Sequence, residues 1–149
     1  ELESHDLLPF DALKLQHGGI MTAHISFTNI DKEIATFSKF WLQDILRNKM
    51  GFTGIIFSDD LSMKGSDYVG GIEAKVGKAL ESGCNMVLIC NDRPAAIEAI
   101  NFLEKEKISQ SQKVTRLKAS ESISWVDLEN DARRIDIIDK LNIIEKLKL

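Results

Sequence analysis

The sequence predicts an α/β fold organised on a parallel sheet, and three observations carry that expectation. Short apolar runs of strand character recur at residues 19–25, 55–58 and 84–90. Between them lie stretches whose apolar residues repeat at helical spacing, and Gly51 and Gly83 stand where those stretches should end. Strand and helix in alternation is the pattern of βα units, whose strands pair in parallel.

Taken in order, Asp6 to Leu15 reads as an amphipathic start, with Pro9 in the first turn of a short helix. Gly18 and Gly19 break it, and Gly19-Ile20-Met21-Thr22-Ala23-His24-Ile25 follows as a strand. Residues 26–37 show no period and read as a loop. Ser38 is a suitable N-cap for a helix from Lys39 to Met50, with Trp41, Leu42, Ile45 and Leu46 on its apolar side. Ile55 to Ser58 is a strand buried on both faces, because nothing in it alternates. A polar loop from Lys64 to Gly71 leads to a helix over Ile72–Ser82, with Val76, Ala79 and Leu80 inside. Cys84–Cys90 is the third buried strand. A helix over Ala95–Lys107 follows, with Ile97, Ile100, Phe102 and Leu103 as its apolar positions. Two further helices are expected at Ser109–Glu121 and Asp131–Leu149, the latter with a packing stripe of Ile137, Leu141, Ile144 and Leu147.

A chain of 149 residues, 44% hydrophobic and 28% charged, suffices for one globular core. Its net charge of −4 gives no electrostatic reason to expect nucleic acid or an anionic membrane as partner. No apolar run approaches the ~20 residues of a membrane span, and no secretory signal is visible. Cys84 and Cys90 flank one strand, about 20 Å apart at roughly 3.3 Å per residue, too far to bridge. Reduced thiols in a cytoplasmic protein are the simplest account.

The chemistry-bearing stretch is Phe57-Ser58-Asp59-Asp60-Leu61-Ser62-Met63. Two carboxylates leave the carboxyl end of a buried strand, where α/β sheets and barrels hold their ligands. Strand alternation sends neighbouring side chains to opposite sides, so Asp59 and Asp60 are not expected to share a pocket. One is aimed at chemistry and the other at a cap or loop; equally, both could serve the turn. His24, near the end of its strand, reads as a substrate or carboxylate partner, or as a core histidine satisfied by a neighbour. The second reading is the favoured one from residue type alone.

Three parallel strands leave two bare edges, and a closed (β/α)₈ barrel needs about 250 residues. The chain therefore reads as a small open domain or as a piece of something larger. Its first residue, Glu1 rather than Met, fits the second.

Residues 19–25, Trp41-Leu42-Gln43-Asp44-Ile45-Leu46-Arg47, the run from Gly51 to Met63, and that from Ala79 to Asn91 resemble, in order, the bacterial β-N-acetylglucosaminidases of glycoside hydrolase family three. The similarity covers roughly residues 6–100. It implies a (β/α)₈ barrel of which the three strands are the sixth to eighth, with the first five units upstream. The whole chain would then be the C-terminal part of one barrel domain, with residues 108–149 as a helical tail. It further implies retaining hydrolysis of terminal β-linked N-acetylglucosamine from peptidoglycan-derived muropeptides, in cell-wall recycling, without cofactor or metal. Asp59 matches the family's nucleophile, and Met21, His24 and Met63 would line the sugar pocket. Asp60 sits where the family also accepts non-acidic residues. The family's acid/base, an Asp–His pair after the fifth strand, would lie upstream together with most sugar contacts. His5, in Glu3-Ser4-His5-Asp6, does not reproduce that loop.

Two other classes stand beside this one. A receiver-type phosphoacceptor domain also places adjacent acids after its first strand, where they bind Mg²⁺. It requires a later strand ending in Asp and a further one ending in Lys; here the next ends Cys90-Asn91-Asp92 and no other follows. The third class is a non-catalytic α/β scaffold or interaction domain whose helical tail docks a partner.

Overall fold

The computed structural model describes residues 2–14, 18–119 and 122–146. His17 and the last residues of the helix expected at Asp131–Leu149, Leu147 included, lie outside them. The chain divides into two compact units, residues 1–117 and 118–149.

The first unit is a three-stranded parallel sheet in the order β1-β2-β3, with β1 at Gly19–Met21, β2 at Ile55–Asp60 and β3 at Met86–Leu88. Gly19, Ile20 and Met21 pair with Ile55, Ile56 and Phe57. Phe57 pairs with Met86, but Asp60 pairs with Leu88. Three residues of β2 thus span two of β3, a bulge at Ser58–Asp59. As the central strand, β2 is covered by neighbours, and Ile55, Ile56 and Ser58 are fully buried. β3 is an edge strand, and its residues are half-buried rather than buried as expected.

One side of the sheet carries the core. Ile56 joins Phe37, Leu42, Leu46, Phe52, Leu61 and Val76 in it, and Ile20 and Val87 pack against it. Helix α1 (Leu8–Leu13) holds Pro9 in its first turn. A helix at Phe40–Lys49 buries Leu42 and Leu46 and closes with a wide turn, Met50 N–H to Ile45 C=O. Ser38 caps it by accepting the Trp41 N–H at 3.0 Å. Helix α2 (Ile72–Ser82) has the expected bounds and stops at Gly83, whose φ of +123° a side chain rarely tolerates. Helix α3 (Arg93–Lys105) starts two residues early, because Asp92 accepts the Ala95 N–H at 3.0 Å. Its inner face centres on Ala99, with Phe102 and Leu103 half-buried; Ile97 and Ile100, expected inside, are 46% and 54% exposed.

Under the sheet, Arg47 donates to the carbonyls of Phe52 (2.8 Å) and Gly54 (2.7 Å) and to Asn85 Oδ1 (2.8 Å). Asn85 Oδ1 also takes the Ile56 N–H at 3.0 Å, so one guanidinium ties the entries of β2 and β3 together. Burial lowers the pKa of Arg47 and pushes the Cys84 thiol up to about 12, which leaves that thiol inert. Cys84 and Cys90 are both free.

Two segments read as irregular have structure. Ser26 and Ile34 form an antiparallel bridge, and 3₁₀ turns occupy Ala35–Phe37 and Lys64–Val69. The helix expected at 109–121 is a 3₁₀ stretch at Gln112–Leu117.

In the second unit, α4 (Trp125–Glu129) precedes α5 (Ala132–Lys146). The expected packing stripe is open: Ile137, Leu141 and Ile144 are 51–59% exposed, since the five-residue α4 offers too little surface to cover it. Among the described residues no helix is long and apolar enough to cross a membrane.

Candidate active site

At the carboxyl end of the sheet the backbone ladder hands over to side chains. Thr22 N–H still bonds the Phe57 carbonyl at 2.9 Å. One step on, Asp59 N–H goes to the Thr22 hydroxyl (3.0 Å), which lies 2.9 Å from the hydroxyl of buried Thr36. On the other side of β2, Leu88 N–H bonds the Ser58 hydroxyl at 2.9 Å. On the β3 side the exchange falls at the bulge, where the extra residue of β2 interrupts the backbone ladder and the Ser58 hydroxyl takes up the freed N–H.

The two carboxylates diverge, as the alternation of neighbouring strand residues leads one to expect. Asp59 turns toward the exit of β1, where its Oδ2 accepts the His24 N–H at 3.2 Å. Its Oδ1 takes the Asp60 N–H at 2.9 Å. Asp60 turns toward the exit of β3. Its Oδ1 accepts from Ser62 N–H (2.9 Å), Ser62 Oγ (2.8 Å) and Cys90 N–H (3.0 Å). Asp60 therefore closes the turn at Ser62 and ties it to β3, as the capping reading expects of one of the pair. Asp59, half-buried, is held among the described residues only by main-chain N–H groups, which leaves lone pairs on both oxygens.

Burial raises the Asp60 carboxyl, but the hydrogen bonds from Ser62 and Cys90 outweigh it and hold the group below its ordinary value. A depressed folded value means its stabilisation is complete above the unfolded value near ~3.9 and is lost as pH falls through the folded one. Asp60→Asn is accordingly expected to flatten the acid-side fall of Tm below about pH 4. The same variant should lower turnover only mildly, since this carboxylate faces its own loop. Thermal melts from pH 2 to 7 check the first expectation; an undiminished acid slope would show that Asp60 is not its source.

His24 lies beyond β1, half-buried, with its ring stacked on Phe37 at 5.9 Å. Its Nε2 bonds the Asp60 carbonyl at 2.9 Å. Its Nδ1 is buried and has no partner among the described residues. The structure thus places the imidazole beside the carboxylate pair with both nitrogens turned into protein. Met21 pairs with Phe57 on the side of the sheet opposite the core and is 57% exposed. It also lines a groove of about 330 Å³ with Pro9, Phe10, Leu13, Gly19 and Ile20. Met63, 46% exposed, stands in the loop after β2, its N–H on the Asp60 carbonyl at 3.1 Å. His5 sits in the helix Leu2–Asp6, with Nδ1 2.9 Å from Ser4 Oγ.

The loops around this end are clasped together. Glu33, from the loop after β1, accepts from Tyr68 OH (2.9 Å) and from Lys78 Nζ of α2 (2.6 Å). The Lys78 hydrogen bond keeps Glu33 below its ordinary pKa, while burial and Glu33 push Tyr68 up to about 12. Buried Lys75 donates to the Leu61 carbonyl (3.0 Å) and to Asp67 (2.7 Å). No cluster of metal-ligating side chains occurs among the described residues.

Sequence reasoning missed Thr22, Thr36 and Ser58. The available signal was a hydroxyl residue directly after β1 (Thr22) and another inside the otherwise apolar run of β2 (Ser58); Thr36, in a 3₁₀ turn, carried none.

The profile of the glycosyl hydrolase family 3 N-terminal domain matches residues 1–119. A curated β-hexosaminidase of Idiomarina loihiensis is 42% identical over 135 residues, covering 89% of this chain and 41% of its own length. The chain thus spans about two fifths of that relative. The native structure of NagZ from Neisseria gonorrhoeae superposes with a TM-score of 0.66 at 31% identity, over 81% of this chain and 34% of that one. The same protein has been solved with N-trifluoroacetyl-D-glucosamine, at a TM-score of 0.66, 32% identity, and coverage of 81% and 34%.

Proposed function

Because this chain belongs to glycosyl hydrolase family 3, whose N-terminal domain is a TIM-type barrel, we propose that it is the C-terminal part of such a barrel. In this reading β1, β2 and β3 are the last three strands, residues 108–149 form a helical tail, and the remaining strands precede Glu1. The complete protein hydrolyses terminal β-linked N-acetylglucosamine with retention. The observation that carries the proposal is the carboxylate of Asp59: it ends the central strand, on a bulge, oriented by two N–H groups and neutralised by no cation among the described residues.

Such a carboxylate attacks the anomeric carbon as the leaving oxygen is protonated, giving a glycosyl ester that water then hydrolyses. The proton donor is assigned to a histidine-bearing loop outside this chain. Met21 and Met63, both exposed, supply apolar wall to the sugar. The bound N-trifluoroacetyl-D-glucosamine of the Neisseria structure supports an N-acetylglucosaminyl substrate. Muropeptides from peptidoglycan are its proposed source, in a cell-wall recycling role in the cytoplasm that the free thiols Cys84 and Cys90 fit.

The test is covalent trapping. A fluorinated N-acetylglucosaminyl donor that slows ester hydrolysis should label the full-length protein, with the added mass on the peptide carrying Asp59. Label on another carboxylate would remove Asp59 from the role. No label, with no turnover of any N-acetyl-β-glucosaminide, would favour a scaffold or phosphoacceptor reading.

A further inference from the structure

We propose that Thr22 and His24 are positioning residues that aim the Asp59 carboxylate, His24 acting from its backbone rather than as a sugar ligand. The inference rests on Asp59 being the nucleophile. Residues 22 and 24 straddle Ala23 just where β1 leaves the sheet, and each holds a different part of Asp59. The Thr22 hydroxyl takes its N–H (3.0 Å), and the His24 N–H takes its Oδ2 (3.2 Å). With the Asp60 N–H on Oδ1 (2.9 Å), the backbone and both carboxylate oxygens are set. Each oxygen keeps a lone pair for attack.

The imidazole explains why the His24 N–H stays in place. The Asp60 carbonyl can only accept, so the His24 Nε2 donates to it. The ring is pinned from three directions. It stacks on Phe37, it bonds Asp60, and the loop after β2 closes over it at Gly65, where an added Cβ would lie 2.9 Å from His24 Cβ. Nδ1, buried, presents nothing to a sugar. Thr22 is pinned in turn by Thr36, which is fully buried. A reacting group held this way loses rate steeply when displaced, because attack needs a near-aligned approach of about 3–3.5 Å.

The experiment uses full-length protein with four variants, scored by kcat, KM and the rate of fluorosugar labelling. Thr22→Val keeps the shape and removes the acceptor; Thr22→Ser keeps the acceptor. His24→Ala removes the anchor, whereas His24→Gln keeps a donor in reach of the Asp60 carbonyl. Thr22→Val and His24→Ala should lower kcat and the labelling rate about 10–100-fold with KM within twofold. Thr22→Ser should return to within threefold of wild type, and His24→Gln should recover most of the loss from His24→Ala. Wild-type labelling of Asp59 in Thr22→Val overturns the proposal, as does a rise in KM with unchanged kcat in His24→Ala, which would make His24 a sugar contact. Should Thr22→Val not fold, the His24 pair decides by the same criteria. Label found on a residue other than Asp59 in the wild type defeats the nucleophile assignment instead, a separate outcome.

Discussion

Asp59→Asn in the full-length protein is expected to abolish turnover of a chromogenic N-acetyl-β-glucosaminide, by roughly 10³-fold or more, with little change in thermal stability. The amide keeps the size of the carboxylate but only one of its two oxygens, so either the His24 or the Asp60 N–H keeps its acceptor and the other faces an NH2 group, a local cost that leaves the buried core untouched. What it loses is the anion, and with it the ability to form and release a glycosyl ester. Asp60→Asn provides the contrast, because that carboxylate bonds Ser62 and Cys90 and shares no partner with Asp59 beyond the peptide between them. Equal losses in the two variants would contradict the division of labour between the acids.

The second large effect concerns the 149-residue chain by itself. Assayed beside the full-length protein, it is expected to show turnover near background. Retaining hydrolysis in its usual form needs a second group about 5–5.5 Å from the nucleophile to protonate the leaving oxygen. Around Asp59 the structure supplies main-chain N–H groups, two threonines and an imidazole whose nitrogens are already turned inward. None of these is an acid poised over a sugar. General acid–base assistance is worth about 10²–10⁴-fold on its own, before the missing sugar contacts are counted. The sheet also carries unpaired outer edges on β1 and β3, so the isolated chain should self-associate. Turnover within tenfold of the full-length protein would instead mean that His5 or His17 completes the site.

The βα order and the placement of Asp59 were legible because they depend on local signals. The unbroken apolar run of β2 announces a strand covered on both faces. Gly83 marks the end of α2, because few other residues accept its backbone angle. Elsewhere the local signal was outweighed. Ile97 and Ile100 look like an inner face, yet the buried residue of α3 is Ala99, because which side of a helix turns inward is set by the elements it packs against and not by its own apolar residues. The loop at 26–37 looked formless because its order comes from afar, through Glu33 to Tyr68 and Lys78, and through Phe37 sunk in the core. The bulge was invisible for the same reason. Register against β3 is a property of two strands, and neither strand's sequence states it alone.

That bulge limits how the site can be inherited or moved. A carboxylate at a strand end is easily pictured as a portable unit, six residues cut from one barrel and pasted into another. Here its bearing depends on Thr22, His24 and Thr36 from one stretch of chain, while the residues on either side of it, Ser58 and Asp60, are tied to the backbone of Leu88 and Cys90 from a third. A crossover between related barrels at any point from residue 37 to 54 would separate Asp59 from the hydroxyl and the N–H that hold it. Chimaeras joined there should fold about as well as those joined elsewhere, since the core residues interchange, yet turn over slowly unless both parents carry the same hydroxyl at position 22. The smallest transplantable piece is therefore the span from β1 through β3, most of the first unit.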